Sequence, residues 1–157
     1  MKDINEWVQD LASDNLVKRT HAAAELGKTG NQEAGPHLTA ALRDAVPVVR
    51  SEAAYALGEL KYKESVNHLV KLLKDEDERV RKSAAKALGM IEARTAVSPL
   101  ITALDDPSDI VRKSVVRALG QIGDTRAVQY LEKMLKDRSY LVQRESGDAL
   151  KKLVKKS

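Results

Sequence analysis

A period of 31 residues runs through this 157-residue chain without insertion, and it constrains the fold more than any other feature. Leu26-Gly27, Leu57-Gly58, Leu88-Gly89 and Leu119-Gly120 recur at that interval, and Leu150 keeps the column where Lys151 has replaced the glycine. A second column reads Leu11, Leu42, Leu73, Leu104 and Leu135, and a third Trp7, Leu38, Leu69, Leu100 and Leu131. The register divides the chain into units at about 1–31, 32–62, 63–93, 94–124 and 125–157, which together form one domain over 1–157. That division leaves no room for a separate catalytic domain.

Within each unit the apolar residues fall at helical spacing, as in Val66, Leu69, Val70, Leu72 and Leu73, then Val80, Ala84, Ala85, Leu88 and Ile91. Asp- and Pro-rich turns such as "RDAVP" at 43–47 and "DDPSD" at 105–109 separate two helices per unit, because Asp and Ser suit a cap and Pro a first helical turn. The pattern predicts first helices at about 3–12, 33–43, 63–74, 94–104 and 125–136, and second helices at about 15–28, 47–60, 77–91, 108–122 and 139–155. A hairpin this short cannot bury its apolar stripe alone, so neighbouring units must stack. The predicted fold is an all-α solenoid of five helical hairpins and about ten helices. Glycine inside a helix costs about 1 kcal/mol relative to alanine, so its recurrence near the end of each second helix marks a close helix–helix approach. The small residues at 22, 23, 53, 54, 84 and 85 fit the same approach.

Composition narrows the chemistry. Aromatics are 3% and Phe is absent, as suits tightly apposed helices. Zero cysteines exclude disulfides, thiolate catalysis and Cys-based zinc sites together. Without an apolar membrane span or signal core, a cytoplasmic protein with no membrane partner is expected. The net charge of +4 is polarised: residues 1–78 carry 10 Lys/Arg against 14 Asp/Glu, and residues 79–157 carry 17 against 9. The C-terminal half therefore favours an acidic partner.

The columns Val-Arg, Ala-Ala, Leu-Gly-x-Ile and Ala-Val-x-x-Leu return in register in "VRSEAAYALGEL", "VRKSAAKALGMI" and "VRKSVVRALGQI". On these motifs the whole chain resembles the HEAT-like repeats of the phycobilisome-lyase type. That family includes bilin lyases, a di-iron hydroxylase and plain binding scaffolds, so the resemblance implies a fold more sharply than a function. It implies that Asp44, Asp75, Asp106 and Asp137 form an inter-repeat ladder with the column Arg50, Arg81, Arg112 and Gln143, fraying where Ser13 and Gln143 replace the charged residues. The hydroxylase carries His-Glu pairs after the repeated Val-Arg. The matching positions here read Thr20-His21, Ser51-Glu52, Lys82-Ser83, Lys113-Ser114 and Arg144-Glu145, and none is such a pair.

No catalytic set emerges from the residues themselves. "GKTG" at 27–30 lacks the strand and spacing of a phosphate loop, and its Gly27 belongs to the repeat column. His37 and His68 share a column but lack a third metal ligand, so they are expected to be satisfied or exposed, and Trp7 to be a core or capping residue. No catalytic residue, metal or cofactor is expected, and the chain is expected not to be an enzyme. In HEAT-like solenoids the second helices line the concave face. Three columns there point between the core positions: Thr20, Ser51, Lys82, Lys113 and Arg144; Ala24, Tyr55, Lys86, Arg117 and Asp148; Lys28, Glu59, Met90, Gln121 and Lys152. At roughly 10 Å per packed helix they form a groove on the order of 40 Å long. Its candidate partner-binding residues are Thr20, Ala24, Ser51, Tyr55, Lys82, Lys86, Met90, Lys113, Arg117, Gln121, Arg144 and Lys152. The N-terminal part is small and neutral around Tyr55, and the C-terminal part is basic. The expected function is a noncatalytic scaffold that binds a protein or peptide with an acidic segment. The alternatives are a nucleic-acid-binding protein, for which the basic part offers no stacking aromatic, and a bilin or prosthetic-group lyase or accessory subunit.

Overall fold

The computed structural model describes residues 2–156; Met1 and Ser157, the two ends of the expected domain, lie outside the described residues. The described residues form ten α-helices and no strand. The first helices of the five hairpins are α1 (Ile4–Leu11), α3 (Gly35–Ala41), α5 (Val66–Leu72), α7 (Val97–Thr102) and α9 (Val128–Met134). The second helices are α2 (Leu16–Lys28), α4 (Pro47–Glu59), α6 (Glu78–Ile91), α8 (Asp109–Ile122) and α10 (Tyr140–Lys156).

Second helices begin and end within about a residue of the sequence pattern. Their starts are fixed by local chemistry: the Asn15, Asp77 and Ser108 side chains accept from backbone N–H groups of the first turns of α2, α6 and α8, and Pro47 opens α4. The first helices are shorter than expected. Single 3-10 turns at Gln32–Ala34, Lys63–Ser65, Arg94–Ala96 and Thr125–Ala127 lead into α3, α5, α7 and α9, and another follows α7 at Ala103–Asp105. Apolar spacing does not separate i+3 from i+4 winding over one turn.

Two leucine columns interleave down the core. Leu26, Leu57, Leu88 and Leu119 come from the second helices and Leu38, Leu69, Leu100 and Leu131 from the first, all fully buried. Each buried leucine contributes about 1.5–3 kcal/mol relative to exposure, so the repeat is held by this zipper. The glycine column lies where it was expected, at the tightest point between second helices. A Cβ on Gly27, Gly58 or Gly89 would stand 2.7–2.8 Å from the Cα of Ala56, Ala87 or Ala118, and one on Gly120 would stand 2.8 Å from the Cβ of Ala149. The facing column is thus Ala56, Ala87, Ala118 and Ala149. The small residues at 22, 23, 53, 54, 84 and 85 are core residues instead. Glu25 occupies the alanine column in the first repeat and Lys151 the glycine column in the last, the two positions with no second helix opposite them.

The Asp–Arg ladder is present and has an additional rung. Arg19, Arg50, Arg81 and Arg112 each donate from Nε and a terminal nitrogen to Asp44, Asp75, Asp106 and Asp137 of the following repeat, at 2.7–3.3 Å. The remaining arginine nitrogen donates to two carbonyls of the turn in its own repeat, for example Asp44 and Ala45 from Arg50. Each ladder carboxylate also accepts a backbone N–H two residues on. One rung therefore ties two turns together through a fork with few free donors. Ser13 does not fray the N-terminal rung, because the bond there uses its backbone carbonyl. Gln143 keeps only the local bond, to the Asp137 carbonyl at 2.6 Å.

Second helices pack directly on one another from α2 to α10. Successive first helices leave clefts, of about 340 Å³ between α1 and α3 and about 550 Å³ between α5 and α7. The second helices are thus the more closely packed layer of the stack.

Candidate functional site

Residues four apart on a helix share a face, so α6 presents Lys82, Lys86 and Met90 together and α8 presents Lys113, Arg117 and Gln121 beside them. From α4, Tyr55 leans into the same place: the Lys86 ammonium lies 5.8 Å from the centre of its ring. Tyr55 is 37% exposed, Met90 and Gln121 are half-buried, and Arg144 and Lys152 of α10 are exposed. Thr20 and Ala24, on α2, are half-buried, and the Thr20 hydroxyl donates back to the Leu16 carbonyl.

Burial and its cationic neighbours Lys82, Arg117 and Lys113 depress the pKa of Lys86. Arg117, beside it, makes a forked pair with Glu145 of α10, at 2.9 and 2.7 Å. The Arg117 guanidinium holds the Glu145 carboxyl below the usual carboxylate range, against the opposing effect of burial. Among the described residues every cation that is not exposed falls into one of two sets. The ladder arginines are all paired with carboxylates. Lys82, Lys86 and Lys113 are the half-buried lysines, and no carboxylate stands within ion-pair distance of any of them.

Two hollows open on this surface. A small one of about 170 Å³ is lined by Tyr55, Lys86, Met90, Ser114, Arg117 and Gln121. A larger one of about 590 Å³ shares Met90 and Gln121, has Gly58, Gly89 and Gly120 in its floor and carries Lys61, Lys152, Lys155, Glu59 and Glu92 around it. The glycine column thus serves twice, as the close helix contact and as bare backbone beneath this trough. Lys61 and Glu92 on its edge hold left-handed φ values of 51° and 55° where Gly30 and Gly123 occupy the same repeat position.

Three sequence expectations change here. Ser51 does not face the groove: it is buried, with its hydroxyl 2.9 Å from that of Ser83, because the small side chain lets α4 and α6 close over it. Arg117 is not a free cation, being engaged by Glu145. The neutral and basic parts of the strip are not separate, since Tyr55 and Lys86 line one hollow. Sequence reasoning missed Glu145, Ser114 and Lys61. The signal for Glu145 was its offset of 28 residues from Arg117, one repeat less one helical turn, which joins neighbouring second helices.

The other aromatic and imidazole groups lie apart from this surface. Trp7 packs on the core with its ring edge-on to His21 at 5.1 Å. His37 is exposed, and His68 departs from expectation in having a buried Nδ1 with no hydrogen-bond partner. Among the described residues no helix is long and apolar enough to cross a membrane, and no group of three His, Cys, Asp or Glu is placed to hold a metal ion.

A family model for HEAT repeats matches residues 4–85 and 66–151. No curated protein matches the chain. Among solved structures, the complex of CpcE and CpcF of phycocyanin lyase from Nostoc sp. PCC7120 is similar at 30% identity and a TM-score of 0.90, over 99% of this chain and 66% of that one. A computationally designed armadillo repeat protein for modular peptide recognition is similar at 27% identity and a TM-score of 0.67, over 96% of this chain and 82% of that one. A designed armadillo repeat protein in complex with the peptide (KR)4 shares the fold at 24% identity and a TM-score of 0.69, over 96% of this chain and 81% of that one. The expectation that the chain is not an enzyme is overturned by the first likeness, to a lyase complex spanning nearly all of this chain. By its matched repeats and their register, the chain belongs to the HEAT repeat family, with repeats of the phycobilisome-lyase type.

Proposed function

We propose that this chain is a protein-binding subunit of a lyase-type enzyme, and that it holds an acidic segment of its protein partner against α6, α8 and α10. One observation carries the reading: Lys82, Lys86 and Lys113 are half-buried, adjacent and without carboxylate partners, in a molecule that pairs its other buried cations. Burial and then the neighbouring cations disfavour the charged form of Lys86, and an incoming carboxylate favours it. The exposed Arg144 and Lys152 extend the attraction along α10. The 66% coverage of the Nostoc chain and the peptide-recognising armadillo relative support a binding module within a larger assembly.

Phycocyanin, the protein named with that lyase, is the first partner to try. Immobilised phycocyanin polypeptide is expected to bind the wild-type chain, and the K82E/K86E/K113E variant is expected to lose at least about tenfold in affinity with an unchanged helical spectrum. Equal binding by both proteins contradicts the lysine surface, and no binding by either removes phycocyanin as the partner.

A further inference from the structure

We infer that the hollow between α4, α6 and α8 recognises a specific side-chain pattern, an acidic residue next to a large apolar one, in the segment that binds there. The inference rests on the acidic-segment reading above and names what that segment must contain. Size is the first argument. At about 170 Å³ the hollow falls below the roughly 300–1,000 Å³ of small-molecule pockets, so it suits one large apolar side chain, with the neighbouring carboxylate at the lysines beside it, rather than a whole cofactor.

The walls supply the second argument. One side is the Tyr55 ring and the Met90 thioether, a flat aromatic face beside an adaptable apolar chain. The other is cationic, with Lys86 in the lining and Lys82 and Lys113 close enough to be felt by it. Arg117 already has its charge paired with Glu145 through two of its N–H groups, so the lysines carry the unpaired charge that draws the ligand's carboxylate. A purely acidic segment would neutralise the lysines and leave Tyr55 and Met90 wet. A nucleic-acid backbone would do the same, since its phosphates need only Lys and Arg. A carboxylate with an apolar neighbour uses both walls, and removing the apolar group from water adds to the charge term.

The test uses two fluorescein-labelled peptides of equal length and charge, each with four acidic residues. The first has Leu and Phe between them and the second has Ser at both places. Anisotropy titration of the wild-type protein is expected to show the first binding at least about tenfold more tightly. Tyr55→Ala and Met90→Ala should erase most of that advantage and leave the Ser peptide's affinity unchanged, while Tyr55→Phe, which keeps the ring, should preserve it. The K82E/K86E/K113E protein should bind neither. Equal binding of the two peptides to the wild type, or an advantage that survives both alanine variants, overturns the side-chain pattern and leaves the acidic-segment reading standing. Failure of the wild type to bind either peptide overturns both.

Discussion

Glycine at position 89 and glycine at position 147 are both helical, yet their surroundings give them opposite roles. A Cβ at Gly89 would lie 2.8 Å from the Ala118 Cα, and backbone cannot swing aside as a side-chain tip can. A Cβ at Gly147 would meet only the Leu135 Cδ2, at 4.0 Å. Gly89→Ala is therefore expected to destabilise the protein by about 1–3 kcal/mol through forced separation of α6 and α8. Gly147→Ala is expected to stabilise it by up to about 1 kcal/mol through reduced unfolded-state entropy and better helix propensity. Urea denaturation followed by circular dichroism measures both, and the same sign for the two would contradict the packing account. This distinction was half legible in the sequence. Gly89 recurs every 31 residues and Gly147 does not, but only the structure shows that the partner column is Ala118 rather than Ala84 and Ala85.

At the scale of elements, the joint between the fourth and fifth repeats combines a ladder rung, Arg112 to Asp137, with the groove pair Arg117 to Glu145. Burial pushes the Asp137 carboxyl up, but the Arg112 bond and the Ser139 N–H outweigh it and hold the group low; Glu145 is held low first by Arg117. Both carboxylates therefore titrate lower in the folded than in the unfolded chain. Their stabilisation is complete above the unfolded values of about 4 and is lost as pH falls through the lowered folded values. Hydrogen exchange is expected to show α10 losing protection on acidification below about pH 4, ahead of α4, and uniform loss along the stack would contradict this. The helices themselves were readable because period and caps agree, and the ladder because its columns repeat. The rung from Arg19 to Asp44 was hidden by Ser13, whose side chain breaks the column while its carbonyl still serves. The short 3-10 turns were hidden because one turn carries too few apolar positions to fix its winding.

At the scale of the molecule, repetition and exception divide the work. Residues that repeat from unit to unit build the leucine zipper, the glycine contact and the ladder, and they make a stack stabilised by nearest neighbours. Residues that break the repetition carry what is specific: Glu25 and Lys151 at the ends, Tyr55 on α4, and the lysines of α6 and α8. The candidate surface was legible to the extent that helical geometry places the columns 20, 24 and 28 and their repeats on one face. It was not legible where one residue's size changed its depth, as at Ser51, or where a neighbour 28 residues away took up a charge, as Glu145 does for Arg117. The central claim is that Lys86, half-buried beside Lys82 and Lys113 with no carboxylate partner, is held below its ordinary value until a carboxylate arrives. Nitrogen-15 NMR of the Lys86 ammonium across a pH titration tests it most directly. Lys86 is expected to titrate below the ordinary lysine value in the free protein, because of burial and then its cationic neighbours, and to move upward when the acidic Leu/Phe peptide is added. A Lys86 that titrates like the exposed lysines and does not respond to the peptide would contradict the account.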